Sequence, residues 1–395
     1  MDKLDLVKEI RELKTQLAYT KNLGFFFGAG TSCALNIPNI EKLTLDIEGA
    51  LSGDLLKHFR AVKEDLKGTI KKPNIEDILN QVRRIREITA DKNDRKYIEV
   101  SGEAARDLDK AICRLIYDII TKGEEKADLT ASTRFLAWLS ILNRERSKEI
   151  FTTNYDLIVE RSLESSQIPY FDGFVGSYEP FFWQESVDQL VGPSDITRNW
   201  IRLWKIHGSL NWFWKLDAAQ NSQRIIRVGK FDKASHTDQE LVIYPSKEKY
   251  DSSRKQPFVA YFDRLQNYLL DGELLFIFTG YSFSDQHIND IIFNCLRQNK
   301  RLFCIVFFYN DAEVDALHKL ATSHMNLNVF GPTKAIINGA LYEWEFKKDT
   351  LKDSETCDSY YDETSNKFKL GDYLELVNFL ITSSGRGELP TAGKA

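Results

Sequence analysis

Leu4, Val7, Ile10, Leu13 and Leu17 recur at steps of three and four residues with charges between them, the spacing of one apolar helix face. Such a face must be buried, and its own domain and a second subunit are both open as the covering surface. The next apolar run, Leu23-Gly24-Phe25-Phe26-Phe27, is short and stops at Gly28 and Gly30, which predicts a buried strand entering a tight turn. From Glu41 to about Thr130 the chain becomes charged and helix-periodic. Ile75, Ile78, Leu79 and Val82 share one face, and Ala111, Leu115, Ile116 and Ile119 another. This stretch, about 41–130, is expected to be a helical insertion. Strand-like runs then recur at Glu149 to Thr153, Ile201 to Ile206, Asn211 to Leu216, Leu241 to Tyr244, Leu274 to Thr279, Leu302 to Tyr309 and Leu341 to Phe346. Helical stretches at Thr133 to Leu142, Pro257 to Leu270 and His287 to Arg297 lie between several of them, and Tyr373 to Ile381 follows. The alternation predicts an α/β fold, a doubly wound and mostly parallel sheet covered on both faces.

Composition narrows the class. The 395 residues are 43% apolar, with 25 Phe, 16 Tyr and 7 Trp, enough to build a sizeable core. A formal net charge of −5 lacks the basic excess that phosphate-backbone binding leaves, so nucleic acid is not favoured as the main ligand. No apolar run reaches the roughly 18–20 residues of a membrane span, and Met1 to Ile10 carries alternating charge where a signal peptide would be basic and then apolar. A cytoplasmic location without membrane contact is expected. The five cysteines are scattered with no C-x-x-C pair, so neither a disulfide framework nor a zinc module is expected, and small buried apolar roles fit them best.

Four predicted strands end in polar, chemistry-bearing residues. Phe27 leads into Gly28-Ala29-Gly30-Thr31-Ser32, a turn that lets backbone approach a pyrophosphate, although the third glycine of the usual dinucleotide fingerprint is missing. Phe151 leads into Thr152-Thr153-Asn154-Tyr155-Asp156, where Asn154 and Asp156 project beyond the sheet or else cap a following helix. Trp204-Lys205-Ile206 delivers His207-Gly208-Ser209, a proton-transfer group or a plain structural histidine. Phe278-Thr279 delivers Gly280-Tyr281-Ser282-Phe283-Ser284-Asp285, suited to hold ribose or phosphate oxygens, with Asp285 also placed to cap a helix. Ligands of open α/β sheets bind beyond the carboxyl ends of strands, and four such ends are a stronger signal than any one.

In this combination the motifs resemble the sirtuin-like NAD⁺-consuming domains of bacterial antiphage defence, found in Thoeris, in some Argonaute-associated proteins and in two-protein systems with a HerA-type ATPase. The matches run from residue 23 to about 300. The resemblance implies a Rossmann-like sirtuin-like catalytic domain over residues 1–350, with a C-terminal helix and flexible tail over 351–395. It implies that Asn154, His207 and Asp156 are catalytic. Gly28, Ala29, Gly30, Thr31, Ser32, Thr153, Gly280, Ser282 and Asp285 would bind the cofactor. It implies NAD⁺ as substrate without a metal, a homo-oligomer, and a separately encoded HerA-type ATPase as partner. The chain departs from deacylase sirtuins in two places: it has no four-cysteine module, and Ile37-Pro38-Asn39-Ile40 stands where they carry a Phe-Arg pair. The expected activity is therefore hydrolysis of NAD⁺ to nicotinamide and ADP-ribose, depleting NAD⁺ in abortive infection. The alternatives are a non-catalytic NAD⁺ or ADP-ribose binding subunit of an ATPase complex, and transfer of an acyl or ADP-ribosyl group.

Overall fold

The computed structural model describes residues 2–188, 196–217, 222–229, 241–243, 256–352 and 356–383. Six parallel strands form the centre of its main sheet: β1 (Leu23–Phe27), β2 (Glu149–Thr152), β3 (Ile201–Lys205), β4 (Leu274–Thr279), β5 (Leu302–Phe307) and β6 (Leu327–Phe330). Their spatial order is β3-β2-β1-β4-β5-β6, every neighbouring pair being parallel. This is the doubly wound Rossmann order, in which the winding reverses between β1 and β4 and opens a crevice there. Two antiparallel strands, β7 (Lys334–Ile337) and β8 (Ala340–Glu345), extend it past β6, and short parallel strands at Asp2–Asp5 and Tyr170–Phe171 form the two edges.

The period-two alternation of β1 feeds two cores. Phe25 and Phe27 join the core formed with the N-terminal helix, the insertion helices and the helices Thr130–Ile141 and Tyr373–Ser383. Phe26 joins the opposite core, with Phe258–Leu270, Gln286–Gln298 and Asp311–Ala321. Between β1 and β2 the expected insertion is present as the helices Ile40–Ala50, Gly53–Lys67, Ile75–Thr89 and Gly102–Lys126. No helix among the described residues is long and apolar enough to cross a membrane.

The structure answers one open question, corrects one expectation and adds elements that the sequence pattern did not announce. Leu6, Val7, Ile10, Leu13 and Leu17 of the N-terminal helix Leu6–Tyr19 are between 0% and 8% exposed within the single chain. The stripe is used up in its own core and offers no subunit contact, while Leu4 lies in the edge strand. Asn211 to Leu216 and Leu241 to Ile243 do not enter the parallel sheet. With Ser222–Arg227, Phe181–Phe182 and Phe174–Val175 they form a separate five-stranded antiparallel sheet, because too few residues separate Gly208–Asp217 from Ser222–Arg227 for the crossover a parallel pair requires. Strands β6 and β7 and the helix Asp311–Ala321 escaped the apolar-run reading, since each run is only four residues long or interrupted by charge. Tyr244 and the tail from Ser384 lie outside the described residues.

Candidate active site at the switch point of the sheet

Register brings the four polar motifs to one level. Thr279 of β4 pairs with Phe27 of β1, Phe27 with Thr152 of β2, and Thr152 with Lys205 of β3. Four adjacent strands therefore end in one row, and the four polar segments leave the sheet from it.

The glycines first serve packing. Gly28 donates its N–H to the Thr279 carbonyl at 3.0 Å, and Gly30 donates to the Gly280 carbonyl at 2.9 Å. A Cβ on Gly30 would lie 2.6 Å from Gly280 Cα, and Gly280 itself sits at φ +65 with its missing Cβ 2.5 Å from the Thr31 nitrogen. The two turns touch backbone to backbone, which only glycine permits. Because Thr31 N–H also bonds inward, to the Gly28 carbonyl, a ligand here meets the exposed crest of Ala29 and Gly30, not those three amide hydrogens.

Asn154 is anchored to that turn. Its Nδ2 lies 3.0 Å from the Gly28 carbonyl, 3.0 Å from Thr31 Oγ1 and 2.9 Å from Ser32 Oγ. A carbonyl can only accept, so the amide orientation is fixed and Oδ1 is the atom left to face a ligand. Ser32 in turn donates to Asp156 Oδ2 at 2.6 Å, while Asp156 Oδ1 accepts from Ile158 N–H at 3.2 Å. Asp156 thus orients Asn154 through Ser32 and also accepts the first N–H of the helix Ile158–Ser165. Thr153 contributes backbone, donating its N–H to the Phe27 carbonyl at 3.2 Å.

Across the row, His207 Nε2 lies 3.1 Å from Asp285 Oδ2, both groups largely buried. An ionised carboxylate only accepts, so Nε2 is the donor in this contact, which fixes the orientation of the ring. Asp285 also fills the capping role open to it from sequence, because its Oδ1 accepts from His287 N–H at 3.0 Å and caps Gln286–Gln298. Ser282 is exposed at the rim, 3.2 Å from Ser284.

A charged group beneath the row was missed at the sequence level. Lys205 Nζ reaches the Asp156 carbonyl and Glu160 Oε1, the latter at 2.7 Å, and Glu124 Oε1 accepts from Leu157 N–H at 2.7 Å. All three side chains are buried. The available signal was a lysine at the end of a short strand run of mostly apolar residues, where a buried charge needs a partner.

Burial pushes the Glu124 carboxyl up to about 7. The folded state then holds this proton between about pH 4.5, where an unfolded Glu loses it, and about 7. The contribution is whole below that window and is lost as pH rises through it, by at most about 3 kcal/mol. Glu124→Gln keeps an acceptor for Leu157 but cannot ionise. Its thermal midpoint should match wild type at acidic pH and exceed it above neutrality; a variant no more stable than wild type at alkaline pH would refute the assignment.

Comparison with known proteins follows this geometry. Residues 148–328 match the family model described as SIR2-like domain. The match runs from β2 into the start of β6 and so includes Asn154, His207 and Gly280, while the glycine turn after β1 precedes it. No curated protein matches the sequence. Among solved structures, a Sir2 homologue mutant in complex with 2′-O-acetyl ADP ribose is 14% identical, over 75% of this chain and 83% of that one, with a TM-score of 0.37. A structure described as the basis for the mechanism and regulation of Sir2 enzymes is 12% identical over 76% and 86%, at 0.38. A Sir2 homologue in complex with NAD is 14% identical over 75% and 81%, at 0.33. At such scores the likeness fixes neither fold nor activity.

Proposed function

We propose that this chain is an NAD⁺ glycohydrolase that cleaves the nicotinamide–ribose bond with water. One observation supports the reading: the segments that carry Asn154, the exposed Ala29–Gly30 crest and the His207–Asp285 pair follow neighbouring parallel strands that end at one level, beside the switch point where doubly wound sheets take nucleotides. The match of residues 148–328 to the SIR2-like domain model supports it.

In this mechanism the C1′–N bond breaks and its electron pair passes to the pyridinium ring, which leaves as neutral nicotinamide and needs no acid. The Asn154 carbonyl oxygen faces the cationic ribose or holds a ribose hydroxyl, without adding a full charge that would have to be desolvated. Water supplies the new C1′–O bond and gives its proton to His207 Nδ1. Asp285, beside Nε2, offsets the charge of the resulting imidazolium. The proton then returns to solvent, so NAD⁺ and water yield nicotinamide, ADP-ribose and a proton. The motif resemblance further supports a setting in antiphage defence, in the cytoplasm, as a homo-oligomer switched on by a separately encoded HerA-type ATPase.

The test is mass spectrometry of nucleotides after incubating the purified chain with NAD⁺, alone and with the product of its neighbouring gene. Nicotinamide and ADP-ribose are expected in equal amounts. NAD⁺ that is bound but intact in both arms would overturn the reading in favour of a binding subunit.

A further inference from the structure

We infer that Lys205 is a positioning residue for the proposed cleavage, its buried ammonium tying the loop that carries Asn154 to the strand that delivers His207. The inference rests on the NAD⁺-cleaving reading for its functional meaning and on geometry for the clamp itself.

The loop from Thr153 to Ile158 is held at several of its backbone groups. Thr153 N–H bonds to Phe27, Asn154 N–H to Thr152 Oγ1 at 3.0 Å, and Ile158 N–H to Asp156 Oδ1. Leu210 N–H reaches the Tyr155 carbonyl at 2.9 Å, and Leu157 N–H reaches Glu124. The Asp156 carbonyl is taken by Lys205.

Lys205 is 2% exposed. Its ion pair with Glu160 does not by itself explain the burial, since desolvating two charges commonly outweighs their attraction, and an apolar side chain of similar length would fill the space without that cost. Glu160 is also poorly repaid: burial pushes its carboxyl up, and its second oxygen is buried without a hydrogen bond. What the ammonium adds is the bond to the Asp156 carbonyl. Lys205 is the last residue of β3, and His207 follows two positions later. One strand end therefore supplies the base and also grips the loop bearing Asn154, so Lys205 sets the separation of two groups that must meet at one C1′ atom. Lys205 lines one cleft together with Ser32, Asn154, Asp156 and Tyr373.

The test replaces both charges at once, Lys205→Met with Glu160→Gln, so that neither is left buried and unpaired. The double variant should melt cooperatively and keep KM for NAD⁺ within about threefold while kcat falls about 10²-fold, as misplacement of a reacting group by an ångström does. Hydrogen exchange in a peptide over residues 152–158 should quicken about tenfold with β4 unchanged. A folded variant with wild-type kcat and wild-type loop exchange overturns the inference. Should the double variant not fold, Lys205→Gln, a neutral partner for Glu160, is read by the same two measurements. Wild-type protein that cleaves no NAD⁺ sinks the proposed function instead, and the clamp is then judged by exchange alone.

Discussion

His207→Ala is expected to slow nicotinamide release by roughly 10²–10⁴-fold, the usual contribution of a positioned general base, while the thermal melt and NAD⁺ binding stay close to wild type. The separation of effects follows from placement. His207 sits beyond the end of β3 at 13% side-chain exposure, so water can fill the space left by the ring and solvate the freed Asp285 oxygen. The capping bond from Asp285 Oδ1 to His287 N–H does not involve the imidazole. Steady-state kinetics with calorimetric binding reads both halves of this expectation. A variant that turns over NAD⁺ at the wild-type rate would remove His207 from the chemistry, and loss of cooperative melting would assign it to the fold.

Gly280→Ala is expected to have the largest effect on stability, roughly 3–5 kcal/mol, combining a left-handed backbone that disfavours a side chain with a collision against an unyielding neighbour. The new methyl would lie 2.5 Å from the Thr31 nitrogen and 2.8 Å from the Gly30 carbonyl carbon. These are backbone atoms of the facing turn and cannot move aside as a flexible side chain would. Displacing that turn also moves Gly28 and Thr31, the anchors of Asn154, so activity should fall with stability. Denaturant unfolding measures the first effect. A loss under about 1 kcal/mol would mean that the two turns are not in backbone contact.

Much of this architecture is legible along the chain, for identifiable reasons. Leu274–Thr279 and Leu302–Phe307 are unbroken apolar runs because both faces of a central parallel strand are covered. The motif after each of the four strands is local in sequence, so Asn154, His207 and Asp285 could be singled out from the sequence alone. What escaped reading depends on partners far away. Lys205 and Glu160 are 45 residues apart, and Glu124 reaches Leu157 from the end of the insertion helix, 33 residues earlier, so no local pattern announces either bond. The N-terminal stripe shows the same boundary from the other side: periodicity demands that Ile10 and Leu13 be buried, but only the fold shows that their own chain buries them. The glycine turn carried two meanings at once, and the close approach of Gly280 to Gly30 adds a packing reason that a phosphate motif alone would hide.

The most direct test of the account is cleavage of NAD⁺ by the chain and its neighbouring gene product in water enriched in heavy oxygen. If water attacks C1′ under His207 in the crevice beside β1, the ADP-ribose formed carries the heavy isotope on its nicotinamide-ribose unit, and His207→Ala forms almost none. NAD⁺ recovered intact, or an ADP-ribosyl group found attached to protein or nucleic acid with no labelled ADP-ribose, would contradict it.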